Sequence, residues 1–349
     1  MVGRVVLGLA GVSPEIPVQS GFTPYRLTYW SETNGAPVLV SALVSVPNGK
    51  PPRGLVLWMH GTNPARSASI SSPSLQEGVA VSAAFTGGGY ALIAPDLIGL
   101  GVSHSPQAYL YNPSTLSVTL DLLEIVASGL GGRLPADVGE VFIAGFSQGG
   151  HDAAVIQRAL ESAEHPSMRV RATAAIAGAY DLAGISIPFA LKGRSEGSST
   201  YLGLAAQSWA TYYGHPLETL MTAPATKLVR EALDGSQGAN VLKLLPRDPR
   251  EMFRSDFLDA QAKGGNHWFL EAARANEAWN WTPKAPFRAY FGTRDVDVSP
   301  QESIVFAETS ARRGGNATAV AVGPFDHGQS VLHAVPLIRK WFDELGATA

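Results

Sequence analysis

The stretch EVFIAGFSQGGHDAAV, residues 140–155, decides the fold prediction for this chain. Its first five residues predict a strand buried on both faces, and the alanine-rich residues after the serine predict a helix that runs to about Ser162. A serine at such a sharp strand-to-helix turn has strained backbone angles, so its neighbours must be as small as Gly145 and Gly149. Ser147 is therefore a candidate nucleophile, and the backbone N–H of Gln148 is a candidate oxyanion donor.

Short apolar runs that end at Gly, Pro, Asp or Asn alternate with helical patterns on both sides of this stretch. This alternation predicts an α/β fold with a mostly parallel sheet, preceded by an antiparallel pair that turns at Asn34-Gly35. The predicted strands are Tyr25–Trp30, Val38–Val46, Gly54–Met59, Tyr90–Ala94, Glu140–Ala144, Val170–Ala177, Phe287–Phe291 and Ala317–Val322. The other predicted helices are Leu75–Phe85, Leu116–Ser128, Pro300–Arg312 and Ser330–Leu345.

The regular alternation stops after Tyr180-Asp181 and resumes at Phe287. Between them, a Gly/Ser-rich stretch is followed by helical segments with many aromatic residues. This change of pattern predicts a helical cap, residues 184–282, inserted into one core domain formed by residues 1–183 and 283–349. The cap aromatics are expected either to line an apolar pocket or to pack the cap itself.

Two polar residues follow the last two predicted strands, where parallel strands end at one edge of the sheet. Because a serine nucleophile needs a base and a carboxylate that orients the base, His327 is the candidate base and Asp295 the candidate acid. Asp297 competes with Asp295 for the acid role; otherwise it is expected to serve in the turn or as a helix cap. Asp326 is expected to shape the histidine loop.

The loop after the third predicted strand reads His60-Gly61-Thr62. Glycine there lets the backbone approach a substrate oxygen, so Thr62 is the candidate for the second oxyanion donor and His60 an orienting residue. A plain turn is the alternative interpretation of this loop. His151 follows Ser147 by one helical turn, and we expect it to make a structural hydrogen bond below the serine.

Composition limits the partners that the chain can have. The 26 basic and 29 acidic residues leave a formal charge of -3 without blocks of like charge, which gives no indication of a nucleic-acid partner. Zero cysteines exclude disulfides and thiolate metal sites, and no metal or organic cofactor is expected. No apolar run is long enough to cross a bilayer. The opening MVGRVVLGLAGVS is a poor signal peptide, which favours a soluble cytoplasmic protein over a secreted one; the oligomeric state stays open.

The chain resembles the α/β-hydrolase superfamily over nearly its whole length. The resemblance is carried by Met59-His60-Gly61-Thr62, Ala94-Pro95-Asp96, Gly99-Leu100-Gly101, GFSQGG, FGTRD and DHG. Within the superfamily, the segments SQGGH and Ser255-Asp256-Phe257-Leu258 look like bacterial esterases related to secretory lipases. This resemblance implies a cap after the sixth strand, and it implies that Asp295 is the acid of a G-x-x-D-x-x-V motif closed by Val298. Many exported members carry a clear signal peptide and this chain does not, so the resemblance does not imply export.

These observations predict a serine hydrolase that cleaves a small-molecule carboxylic ester. The triad order Ser147, Asp295, His327 is the order expected for an α/β-hydrolase. A peptidase or amidase on the same scaffold is the alternative, because it would use the same three residues. An inactive binding module is disfavoured, because all three candidate catalytic residues are present.

Overall fold

The computed structural model describes residue 16 and residues 18–73, 76–132, 139–162, 168–238 and 240–347. In these residues an eight-stranded sheet has helices packed on both faces, with a separate apolar cluster on each face. This is the α/β class predicted from the alternation of strand and helix patterns. The stretch weighed as a signal peptide, residues 1–13, and Leu75, the predicted first residue of a helix, both lie outside the described residues.

The sheet is mixed but mostly parallel, as the sequence predicted. Its order is β1-β2-β4-β3-β5-β6-β7-β8; β2 is antiparallel to β1 and β4, and the neighbouring pairs from β4 to β8 are parallel. The strands are β1 (Phe22–Thr33), β2 (Ala36–Pro47), β3 (Leu55–Met59), β4 (Ala91–Pro95), β5 (Glu140–Phe146), β6 (Arg169–Ile176), β7 (Phe287–Gly292) and β8 (Ala317–Gly323). The parallel strands therefore end at one common edge, where their loops can converge.

The helices alternate with the strands up to β6 and again after β7. In the described part of the chain they are α1 (Gln76–Phe85), α2 (Asn112–Ala127), α3 (Gln148–Leu160), α4 (Ile187–Ala190), α5 (Ser198–Tyr213), α6 (Ala223–Ala232), α7 (Val241–Leu244), α8 (Ser255–Lys263), α9 (Trp268–Ala275), α10 (Pro300–Arg312) and α11 (His327–Gly346). No helix among the described residues is long and apolar enough to cross a bilayer.

The helical region after the sixth strand is present, as predicted, and comprises α4 to α9. It has an apolar cluster of its own that includes Trp209, Phe257 and Phe269. The Ala278 N–H donates to the Tyr180 carbonyl at 2.9 Å, so the chain leaves the sheet and returns to it at one place. The exact division into residues 184–282 and the two core segments stays a prediction.

Two helices begin a few residues earlier than the sequence predicted. α11 begins at His327 instead of Ser330, since Asp326 accepts the Gln329 N–H (2.8 Å) and the Gln329 side chain accepts the Asp326 N–H (3.3 Å). This reciprocal capping box closes the first turn. α2 begins at Asn112 instead of Leu116, with a proline in its first turn.

Candidate functional site

Ser147 forms the turn between β5 and α3 and has backbone angles of φ 58° and ψ −118°. Its N–H donates to the Ile176 carbonyl at the end of β6, at 2.8 Å. A Cβ on Gly149 would overlap the Met59 carbonyl at the end of β3, and one on Gly145 would overlap the Gly149 carbonyl. The turn therefore needs both glycines for backbone packing, as the sequence pattern indicated.

His327 and Asp295 lie beside the serine. Asp295 is in the loop after β7, and His327 is the first residue of α11, which follows β8. The His327 Nε2 atom is 2.9 Å from the Ser147 Oγ atom, and the His327 Nδ1 atom is 2.7 Å from the Asp295 Oδ2 atom. The Asp295 side chain is only 1% exposed. The three residues thus form a continuous hydrogen-bonded chain, in which the imidazole can accept the serine proton and the carboxylate can orient the imidazole.

Asp295 is held by its own loop. Its Oδ1 atom accepts the backbone N–H groups of Asp297 (2.9 Å) and Val298 (3.0 Å), which leaves Oδ2 for the histidine. Asp297 does not contact His327 in this arrangement. Asp297 was expected to serve in the turn or as a helix cap if it is not the acid, and Ser299 is the residue that caps α10, by accepting the Gln301 N–H. Asp297 instead binds the helical region.

The candidate oxyanion donors are the backbone N–H groups of Gln148 and Thr62. Gln148 is the first residue of α3, where backbone N–H groups have no partner within the helix. The Thr62 hydroxyl is 3.1 Å from the Tyr109 hydroxyl. The Gly61 N–H donates to the Glu77 carboxylate at 3.2 Å, which occupies that donor and leaves Thr62 as the candidate in this loop.

His60 is fully buried below the same loop, and its Nδ1 atom is 2.6 Å from the Gly61 carbonyl oxygen. The orienting role of His60 stays a prediction. Gly61 itself packs on Phe146, whose ring would lie 3.1 Å from a Cβ at that position. Glu77 was missed by the sequence reasoning: it also accepts the Trp58 indole N–H at 2.9 Å and so ties α1 to this loop.

His151 contacts structural groups and not the serine hydroxyl. Its Nδ1 atom is 2.7 Å from the Ala179 carbonyl oxygen and its Nε2 atom is 2.9 Å from the Asn112 side-chain oxygen. Burial lowers the pKa of His151 to about 4. These contacts match the structural hydrogen bond expected below the turn.

A cavity opens directly at Ser147 and Gln148 and extends under the helical region. It encloses about 650 Å³ of empty space, including the part that opens to solvent. The lining is mostly apolar and includes Tyr109, Leu110, Leu182, Ile187, Phe189, Leu202 and Trp209. Sequence reasoning expected cap aromatics in such a pocket but could not name Tyr109, which belongs to the loop before α2.

A buried carboxyl group lies behind one cavity wall. Glu302 of α10 accepts the backbone N–H groups of Tyr180 and Asp181, both at 2.8 Å, and the hydroxyl of Ser186, which lines the cavity. Burial raises the pKa of Glu302 to about 8. No sequence signal distinguished this residue, because its partners lie more than a hundred positions away.

Comparison with known proteins supports the fold at low sequence identity. No family model matches the chain, and no protein of curated function matches its sequence. Its structure is similar to a Legionella pneumophila protein provisionally assigned as a hydrolase (TM-score 0.90, 20% identity, 98% of this chain and 94% of that one). It is also similar to the rice cell wall degrading esterase LipA from Xanthomonas oryzae (0.84, 20%, 97% and 93%) and to Candida antarctica lipase A (0.69, 14%, 95% and 79%). The chain therefore has the α/β-hydrolase fold.

Proposed function

We propose that the chain is a carboxylic ester hydrolase that acts through an acyl-enzyme on Ser147. The observation that carries the proposal is the hydrogen-bonded chain from Ser147 through His327 to Asp295 at the mouth of a mostly apolar cavity. Similar structures that are named esterase and lipase add support. The helical region is proposed to act as a cap that walls this cavity, with residues 184–282 as its bounds.

In the proposed mechanism, the Ser147 oxygen attacks the ester carbonyl while His327 accepts the hydroxyl proton. Negative charge develops on the carbonyl oxygen, and the N–H groups of Gln148 and Thr62 stabilise it. The tetrahedral intermediate then expels the alkoxide, which takes the proton from His327 and leaves an ester between the acyl group and the serine. A water molecule then gives a proton to His327 and attacks this ester, which forms a second tetrahedral intermediate. Its bond to the Ser147 oxygen breaks, the serine oxygen takes the proton back from His327, and the carboxylic acid is released.

Asp295 holds the imidazole so that Nε2 faces the serine, and it stabilises the imidazolium that forms during each proton transfer. The two backbone N–H bonds to its Oδ1 atom fix the carboxylate in this orientation. Each reacting group is thus placed by a different strand end. Apart from the hydrolytic water, these residues supply every group that the steps use.

The first test is hydrolysis of p-nitrophenyl esters with short, medium and long acyl chains, by wild type and by Ser147→Ala. We expect the substitution to lower kcat by about four to six orders of magnitude without unfolding the protein. An aminoacyl anilide measured in parallel tests the peptidase alternative. Turnover of the anilide but of none of the esters would contradict the proposal, as would ester turnover retained in Ser147→Ala.

A second test separates the two acids of the β7 loop. Asp295→Asn is expected to lower kcat by about three to four orders of magnitude, because the amide cannot stabilise the imidazolium. Asp297→Asn keeps its backbone N–H bond to Asp295, so kcat for a neutral ester should change by less than about tenfold. The reverse order of the two effects would assign the acid role to Asp297.

A further inference from the structure

Asp297 is the only charged side chain among the described residues that line the cavity beside Ser147. It is half-buried, and the rest of the lining is apolar apart from hydroxyl groups and the Gln148 side chain. A carboxylate on a largely apolar wall keeps a strong field because little water screens it. The Asp297 charge therefore affects which charged molecules can enter the cavity.

The Asp297 carboxylate is bound on one oxygen and open on the other. Its Oδ1 atom accepts the hydroxyls of Ser195 (2.6 Å) and Tyr201 (2.9 Å), both from the helical region. In the part of the chain that the structure describes, no donor contacts its Oδ2 atom and no ion pair involves it. Burial and the nearby Asp297 charge raise the pKa of Tyr201, so its phenol remains a neutral donor.

The negative charge of Asp297 is therefore not neutralised by its two partners. Lys192 contacts one residue of the cavity lining, because its Nζ atom lies over the Phe189 ring at 5.8 Å from its centroid. Lys192 is exposed and does not line the cavity itself. The second acid of the loop, Asp295, already has His327 as its partner.

We propose that the open oxygen of Asp297 forms a subsite for a cationic group, so that the cavity takes apolar chains bearing an ammonium and rejects chains bearing a carboxylate. The subsite adds a substrate preference to the proposed ester hydrolysis. It rests on that proposed function only for the kind of bond that is cleaved. The corresponding substrates are esters with an amino group on the part that enters the cavity. Ser195 and Tyr201 position the carboxylate by holding its other oxygen.

Ligand binding tests the subsite without any turnover. Hexylammonium and hexanoate have the same chain and opposite charge, and their dissociation constants can be measured by calorimetry at pH 7. In the Ser147→Ala background we expect hexylammonium to bind at least about tenfold more tightly than hexanoate, from the Coulomb energy of a partly screened pair. Adding Asp297→Asn should bring the ratio to within about threefold of one.

Asp259→Asn serves as the matched control, because this acid is exposed on α8 and pairs with Lys263 at 3.4 Å. It should leave the ratio of the two dissociation constants unchanged. Equal ratios with and without the Asp297→Asn substitution would overturn the subsite, and so would a failure of hexylammonium to bind. Wild-type turnover of matched amino, neutral and carboxy esters reports separately on the proposed function: no hydrolysis of any ester refutes that function and leaves the binding result to decide the subsite.

Discussion

Replacement of Ser147 by glycine should stabilise the protein relative to replacement by alanine, although both variants lose the proposed nucleophile. At φ 58° and ψ −118° the residue lies in a region that residues with a Cβ rarely adopt. Alanine keeps the Cβ and its strain, whereas glycine removes both. Each variant loses the hydrogen bond to His327, so this loss cancels when the two are compared.

The size of the difference follows from two opposing terms. A residue held at such angles costs about 1–3 kcal/mol, and glycine relieves this strain. Glycine also gives the unfolded chain more freedom, which lowers the free energy of unfolding by about 0.5–1 kcal/mol. Ser147→Gly should therefore be more stable than Ser147→Ala by about 1 kcal/mol, within the range of about 0–2.5 kcal/mol that the two terms allow. At an ordinary helical position the sign is opposite, because only the second effect operates.

Urea unfolding followed by tryptophan fluorescence measures the difference between the two variants. Ala260→Gly is the control, because Ala260 lies within α8 at helical angles and should lose about 0.5–1 kcal/mol. If Ser147→Ala proves as stable as Ser147→Gly while the control behaves as expected, the turn does not store strain and the argument from its backbone angles fails.

Gly149→Ala should lower the free energy of unfolding by about 3 kcal/mol or more and abolish activity, because the added Cβ would overlap the Met59 carbonyl. Urea unfolding and ester turnover measure the two effects. Gly238→Ala is the control in both assays, because a Cβ at that position meets nothing within 4 Å. The raised pKa of Glu302, about 8, means that the folded state keeps a proton that the unfolded state releases above about pH 4.5. Stability should therefore fall as pH rises from about 5 to 8, by at most about 5 kcal/mol, and then level off. Glu302→Gln should remove this dependence and the exposed Glu308→Gln should not; a pH profile of Glu302→Gln that matches wild type would contradict the argument.

The three residues proposed as the triad could be selected from the sequence because each of them follows a predicted strand and these strands are parallel. Short apolar runs indicated β5, β7 and β8, and parallel strands bring their carboxyl ends to one edge. The glycines around Ser147 marked the sharp turn. No long-range contact had to be known, which is why the pattern sufficed to select Ser147, Asp295 and His327.

Side-chain partners from distant segments could not be predicted in this way. Glu77 reaches Trp58 and Gly61 across a helix-to-strand contact that leaves no periodic signal in the sequence. Asp297 was expected in a turn or a cap, but its partners Ser195 and Tyr201 lie about 100 positions earlier. Such contacts depend on how the helical region packs against the sheet edge, and tertiary packing decides this.

The groups that hold Asp295 and His327 differ from the groups that hold Asp297. The proposed charge preference of the cavity can therefore change without a change in the proposed catalytic residues. Asp295 is held by N–H groups of its own loop, and His327 begins a helix capped within that helix, so neither depends on the region between β6 and β7. Asp297, two residues away, takes both of its side-chain partners from that region. Substitutions at Ser195 or Tyr201 should therefore weaken the proposed preference for a cationic group, because the Asp297 carboxylate is less firmly positioned, and leave the contacts among Ser147, His327 and Asp295 intact.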